Sequence, residues 1–418
     1  MLKSSFLSFF IRGLTLGSKF VLLLYLVKYL TPYHLGLYSI ISSSVYIGVC
    51  LIGFDFYIFN TREVLNAEFN KKANLIFNQA ILHLITYCIA IPFAGLLLLI
   101  DVIPSTLFLW FFVLLIFEHI SQEVNRLLIN LGHPIMANLV LFYRAGLWVY
   151  IVTILMALGI VEETIYTILA GWLLGIILSL IVVLWLLRKA PRFDWKQRIQ
   201  WSWIWSGLNS SLPFFLSTLS LKSIEYADRY FINAIWGTEQ LGIYAFYIGI
   251  ANAIQVLVYS GIGTIMHPKI IISYQSGRVD EYNKLIREFG LSSILGTIII
   301  GFLLAGFILF ISPYIGRPEY LYYFPIYWIM LFGTIVNIAG QVPHYALYVR
   351  RQDRQILYST IIGSAVVVVC DIVMVPTLGI NGAALGLLFG ILSMVFSKIY
   401  YLRAFHSCSK KTEIGGRG

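Results

Sequence analysis

Eight ionisable side chains lie inside or beside long apolar runs: Arg12, Lys19, Arg144, Lys222 and Arg229 are cationic, and Asp55, Asp228 and Asp371 are anionic. A charge within such a run costs about 2.5–3.5 kcal/mol on insertion scales and by default marks a wet or protein-lined interior. Arg12 and Lys19 are seven positions apart, so on a helix they lie about 20° from one another on one face. Cations outnumber the isolated acids, of which Asp55 and Asp371 are the main ones, and that surplus implies an anionic ligand. A diphosphate fits, because Arg grips its oxygens in pairs while Lys acts as a compact point charge. Long basic side chains can instead lift their charge to the interface. Lys28 and Lys398 are read that way, Arg12 near a span end fits both readings, and the deeper Lys19 and Arg144 are read as facing the ligand.

Other groupings carry less chemistry. Lys222/Glu225 and Glu225/Arg229 have helical pair spacing and read equally as self-neutralising pairs or as ligand groups. Glu118, Gln122 and Arg126 share one stripe, and His119 faces Glu123 one turn on; structural pairing or a proton relay would explain them. His83 and His344 read as packing residues. Asp55 and Asp371 could hold a coupling cation, with Asp55 alternatively at the inner membrane interface, while Asp228 serves coupling or architecture. No CxxC or His/Cys ligand spacing occurs, so disulfides and structural metal are not expected. Phosphate-loop, HExxH, GxSxG and DxD motifs are missing too. The sequence therefore offers no catalytic residue, no metal ligand and no cofactor site, and the chain reads as a non-enzyme.

The elements that position these groups follow from composition. Of 418 residues, 59% are apolar and 11% charged, against about 25% charged in soluble domains. That excludes a soluble or disordered chain, and the net charge of +10 reflects membrane topology rather than a nucleic-acid partner. A helix crosses the hydrocarbon in about 20 residues, which gives twelve spans: 8–30, 36–60, 76–100, 107–129, 137–159, 165–187, 206–227, 242–264, 289–312, 324–345, 357–377 and 382–403. With the N-terminus in the cytoplasm, 21 Lys and Arg residues fall inside and three outside, so both ends are placed in the cytoplasm.

The chain also resembles itself. Leu35-Gly36-Leu37-Tyr38 falls on Leu241-Gly242-Ile243-Tyr244 at an offset of 206, together with Ser4-Ser5 on Ser210-Ser211 and Phe9 on Phe215; Leu158-Gly159-Ile160 matches Leu378-Gly379-Ile380 at an offset of 220. The expected fold is an all-α integral membrane protein, with twelve transmembrane helices in two parallel six-helix repeats around a central cleft. Residues 1–187 form the first bundle, 188–205 a basic cytoplasmic linker, 206–403 the second bundle and 404–418 a cytoplasmic tail. Trp201, Trp203 and Trp205 suit the headgroup zone.

Tyr226 to Ala245 (YADRYFINAIWGTEQLGIYA) resembles the seventh-to-eighth helix signature of Wzx-type O-antigen flippases. These belong to the multidrug/oligosaccharidyl-lipid/polysaccharide exporter superfamily. Met374 to Ala384 (MVPTLGINGAA) and Pro268 with Tyr274, Gly277 and Tyr282 resemble further segments of that family. The resemblance implies a bacterial inner-membrane flippase carrying undecaprenyl-diphosphate-linked oligosaccharide repeat units to the periplasmic leaflet by alternating access. Asp228 and Arg229 occupy the family's Asp-Arg pair. The expected partners are the lipid-linked oligosaccharide, membrane lipids, and a polysaccharide polymerase with its chain-length regulator; drive would come from H+, Na+ or the membrane potential. Two alternatives remain: a cation-coupled multidrug exporter, for which an acid-rich cleft would make more sense, and a membrane-embedded polymerase or ligase, against which the short outside connections argue.

Overall fold

The computed structural model describes the backbone of residues 2–95, 101–188 and 198–415 and, within these, the side chains of 10–68, 71–95, 101–185, 188 and 198–404. No strand occurs among the described residues. The first half runs through α1 (Leu2–Tyr29), α2 (Pro32–Gly53), α3 (Phe56–Asn66), α4 (Phe69–Ala94), α5 (Phe108–Asn130), α6 (Pro134–Phe142), α7 (Trp148–Ala157) and α8 (Ile165–Leu187). A π turn, Tyr143–Leu147, joins α6 to α7. The second half holds α9 (Trp201–Val258), a π turn at Tyr259–Gly263, α10 (Thr264–Gln275), α11 (Val279–Ile315), α12 (Pro318–Tyr322), α13 (Pro325–Ala339), α14 (Gln341–Val349), α15 (Asp353–Leu378) and α16 (Ile380–Gly415).

Among the described residues eleven helical stretches are long and apolar enough to cross a membrane, and the longest, Trp201–Gln275, holds two spans. Gly237, with φ 84° and ψ 170°, divides them. Twelve spans result, matching the expected fold. Local chemistry sets their ends. Pro32 opens α2 behind an extended Thr31, since a fixed φ suits the first helical position. Gly132 closes α5: its N–H reaches Ile129 O at 3.0 Å and that of His133 reaches Leu128 O at 2.9 Å. This double bond closes a helix only if the residue between can turn left-handed, and Gly132 does so at φ 83°. The glycines of the two matched Leu-Gly-Ile stretches share that habit, with φ 67° at Gly159 and 61° at Gly379.

Two expectations need correction. The span 36–60 is not one helix: Phe54 and Asp55 both take φ 49°, and consecutive left-handed residues end a right-handed helix. Trp203 does not join Trp201 and Trp205 on the surface, where those two are exposed. Its ring packs 5.3 Å from both Phe56 and Phe59.

The chain forms two compact units, Met1–Leu219 and Ser220–Gly418. Their boundary falls inside α9, because the start of α9 is built into the first core. Ile204 packs with Phe56 and Leu82, Gln200 N–H donates to Asn78 Oδ1 at 2.7 Å, and a Cβ on Gly207 would sit 2.4 Å from Phe56. Residues 189–197 of the expected linker 188–205 lie outside the described residues, as do 416–418 of the expected tail 404–418. In the second unit α15 and α16 pack backbone to backbone. Gly382, Gly386 and Gly390 repeat every fourth residue, and a Cβ on them would meet Met374 O at 2.2 Å, Asp371 Oδ1 at 2.7 Å and Val367 Cγ2 at 2.1 Å. Such a small-residue stripe is how helices approach closely in lipid.

Candidate functional site

In the first unit, α1 lies along the fifth span. Arg12 Nε donates to Asn138 Oδ1 at 3.0 Å, Ser18 Oγ donates to Ala145 O at 3.2 Å, and Tyr150 Oη donates to Leu14 O at 2.8 Å. Gly146 makes the approach possible, since a Cβ there would meet Thr15 Cα at 3.2 Å. This seam carries Arg12 and, beside Ala145, Arg144, while Lys19 follows Ser18 along α1. Arg12 and Lys19 are exposed, whereas Arg144, in the π turn, is partly buried.

Arg144 has a partner that the sequence did not reveal. Its Nε stands 3.7 Å from Glu118 Oε1 on α5, with side-chain exposures of 12% and 4%. Glu118 is held in turn by Gln122 Nε2 at 3.1 Å and by Trp172 Nε1 at 3.3 Å. The expected surplus of unbalanced cations is therefore smaller by one. Arg144 nevertheless keeps donors in reserve, because its Nε and Nη1 are buried without a hydrogen bond. A guanidinium has five N–H groups in a fixed fork, and one carboxylate at this distance does not use them.

Asp55 stands at the break before α3 without a side-chain capping bond, and its Oδ2 is buried without a hydrogen bond. Behind Asp55 the third and fourth spans form a polar cluster. Glu123 is ion-paired with Arg126, and its Oε2 accepts from Gln79 Nε2 at 2.7 Å and lies 3.7 Å from His83 Nε2. The rings of His83 and His119 meet edge to face at 4.7 Å. The stripe Glu118–Gln122–Arg126 thus splits, Glu118 turning to Arg144 and Arg126 to Glu123.

In the second unit Lys222 Nζ is ion-paired with Glu225 Oε2 at 2.6 Å, so the pairing reading of that spacing describes it. Lys222 and Arg229 both contact the ring of Tyr226, with Nζ at 5.2 Å and the guanidinium carbon at 4.7 Å. Asp228 is fully buried; its Oδ1 accepts from the Arg229 backbone N–H at 2.7 Å and its Oδ2 from Tyr244 Oη. Asp371, on α15, is also fully buried, interacts electrostatically with Asp228 and Tyr244, and has neither oxygen hydrogen-bonded. Two buried acids and a phenol thus share one place. Lys398 does not snorkel: it is 4% exposed, whereas Lys28 is exposed, with its Nζ 5.1 Å from the Tyr29 ring.

Sequence reasoning missed Tyr244 as the partner of Asp228, although both lie in the quoted signature, and missed the meeting of His83 with His119 and Glu123. A spacing rule reaches one turn along a helix, whereas Asp228 and Tyr244 lie on either side of the break at Gly237 and His83 lies on a different helix from His119 and Glu123.

The described residues define a twelve-span, all-helical membrane protein. Residues 1–271 match the family of the description "Polysaccharide biosynthesis protein", and the chain belongs to that family. No curated protein matches it. Its fold is that of solved transporters and a flippase. An inward-facing multidrug resistance MATE family transporter of the MOP superfamily superposes with a TM-score of 0.71 at 14% identity, covering 95% of this chain and 96% of that one. The lipid II flippase MurJ, in an inward closed conformation, gives 0.69 at 14% identity over 96% and 88%. An outward-facing MATE transporter gives 0.58 at 16% identity over 97% and 95%.

Proposed function

We propose that this chain is a flippase for lipid-linked oligosaccharides. The diphosphate head of an undecaprenyl-type carrier would enter along the seam of Arg12, Lys19 and Arg144 while its tail stays in lipid. The observation that carries this reading is Arg144, a mostly buried guanidinium tethered by Glu118 with hydrogen-bond donors to spare. Such a group offsets the desolvation of phosphate oxygens without leaving a bare charge when the ligand departs. Membership of a polysaccharide family and the fold of a lipid II flippase support a lipid-linked saccharide as cargo.

Drive is assigned to the second unit. Asp228 and Asp371, buried together with Tyr244 Oη beside them, would take up H+ or Na+, because two carboxylates in low dielectric repel each other unless a cation neutralises one. Alternating access of the two units, with both termini cytoplasmic in a bacterial inner membrane, completes the reading; a polymerase and its chain-length regulator would receive the product.

Multidrug export is the second reading, favoured by the MATE fold. The two separate in a strain lacking this gene and any redundant flippase. Accumulation of cytoplasm-facing lipid-linked repeat units, with loss of surface polysaccharide, supports flipping; normal polysaccharide together with drug sensitivity supports export.

A further inference from the structure

The cluster on the third and fourth spans has the chemistry of a transition-metal site. One ligand atom from each of His83, His119 and Glu123 lies within 4.8 Å of the other two. His83 is 8% exposed and His119 1%. A zinc-like ion bonds N and O at about 2.0–2.2 Å, which sets neighbouring ligands roughly 3.3 Å apart, so side-chain movements of about an ångström close the set.

The surrounding hydrogen bonds prepare the His119 imidazole, whereas Nδ1 of His83 is buried without a partner. Tyr87 Oη lies 2.7 Å from His119 Nδ1 and 3.5 Å from Ile116 O, so the phenol can donate to the carbonyl while its oxygen accepts the Nδ1–H of His119. In the tautomer whose Nδ1–H donates to Tyr87, the lone pair falls on His119 Nε2, which is buried without a partner. Histidines that bind metals are held in this way by the other ring nitrogen. Gly53 stands opposite the Nε2 atom without a side chain: a Cβ there would lie at contact distance, 3.5 Å from Nε2 and 3.9 Å from Glu123 Oε1. Gln79 marks the other side. Its Oε1 accepts from Asn60 Nδ2, so its amide nitrogen is the end placed 2.7 Å from Glu123 Oε2 and 3.2 Å from His83 Nε2. A polarised N–H₂ thus sits where two ligand lone pairs converge. Arg126 takes Glu123 Oε1 and is itself seated on the Tyr57 ring at 3.7 Å, so Oε2 is left for an ion.

We propose that His83, His119 and Glu123 bind a divalent d-block cation of the zinc class, displacing the Gln79 amide and tying the third span to the fourth. No spacing in the sequence points to a metal here, because the two histidines are 36 positions apart and on different helices. Two neutral imidazoles and one carboxylate select such an ion over Mg2+ or Ca2+, which prefer oxygen.

The test uses the purified full chain in detergent, with affinity tag removed and metal stripped by chelation, titrated with Co2+. The expected result is one Co2+ per chain with visible d–d absorption, displaced by Zn2+. His83→Ala and His119→Ala should each weaken binding at least tenfold, and Tyr87→Phe about tenfold through the lost second contact. His267→Ala, far along the sequence in the other unit, should leave binding unchanged. A wild-type chain with no Co2+ absorption overturns the proposal even if every variant misfolds. Absorption that persists in folded His83→Ala and His119→Ala overturns it as well.

Discussion

Tyr244 donates a hydrogen bond to Asp228 across the break at Gly237. Sixteen residues along a straight helix would advance about 24 Å, so this bond requires the chain to fold back between them. Thr238 Oγ1, 2.9 Å from Asn233 Oδ1, spans the same turn more tightly. The family signature from Tyr226 to Ala245 is thus the sequence of a helical hairpin stapled by its own ends.

Removing the staple is expected to destabilise the second unit. Tyr244→Phe keeps the ring but leaves Asp228 Oδ2 without its donor, a loss of about 1–3 kcal/mol for a buried polar group. Thermal unfolding in detergent measures it, and an unchanged Tm would show that the bond contributes nothing.

Asp371→Asn should separate drive from folding. Neither carboxylate oxygen has a hydrogen-bond partner, so the amide costs no existing contact and the chain should insert normally. Transport in proteoliposomes should lose its dependence on an imposed H+ or Na+ gradient. A variant that still responds to the gradient would remove Asp371 from the coupling step.

Arg144 and Glu118 should show non-additive effects. Either single Ala substitution strands a buried charge, which costs about 3–5 kcal/mol, whereas replacing both with Met restores most of that stability. The double variant is therefore the informative one: it should insert and fold, yet fail to complement a flippase deletion. Full complementation would take Arg144 out of the ligand path. Arg144→Lys should rescue poorly, because an ammonium lacks the planar fork.

Lys19→Ala tests the same seam from α1. Lys19 is exposed, so its truncation opens no core cavity and expression should hold while complementation is lost; retained complementation would remove it from the ligand path.

The glycine stripe of α16 gives a stability prediction independent of function. Gly382→Ala and Gly390→Ala force Cβ atoms to 2.2 Å from Met374 O and 2.1 Å from Val367 Cγ2; overpacking of this kind costs about 1–3 kcal/mol. Gly306→Ala, with nothing within 4 Å, should be neutral or stabilising. Differential scanning of the three variants checks the order.

The twelve spans were legible because a membrane demands about 20 apolar residues at a time, and that demand is written in composition. Breaks inside a span were not. Phe54 adopts left-handed backbone with a side chain that disfavours it and Asp55 with one that only tolerates it, so packing decides the kink. Partners on different helices were hidden as well: Arg144 was visible as a buried cation, but Glu118 belonged to another stripe. Trp203 and Lys398 show the same limit, since a headgroup position and a buried one share a single sequence pattern. The acids stand out in the sequence as isolated charges, yet the meeting of Asp371 with Asp228 depends on α15 returning beside the hairpin.

The hairpin at Gly237 leaves almost no slack between the seventh and eighth spans. One residue inserted on either arm would rotate everything beyond it by 100° and swing Asp228 or Tyr244 away from the other. Length, more than side-chain identity, should therefore be the least forgiving property of this stretch. Epitopes or reporter domains spliced into it will act as lesions rather than as harmless tags.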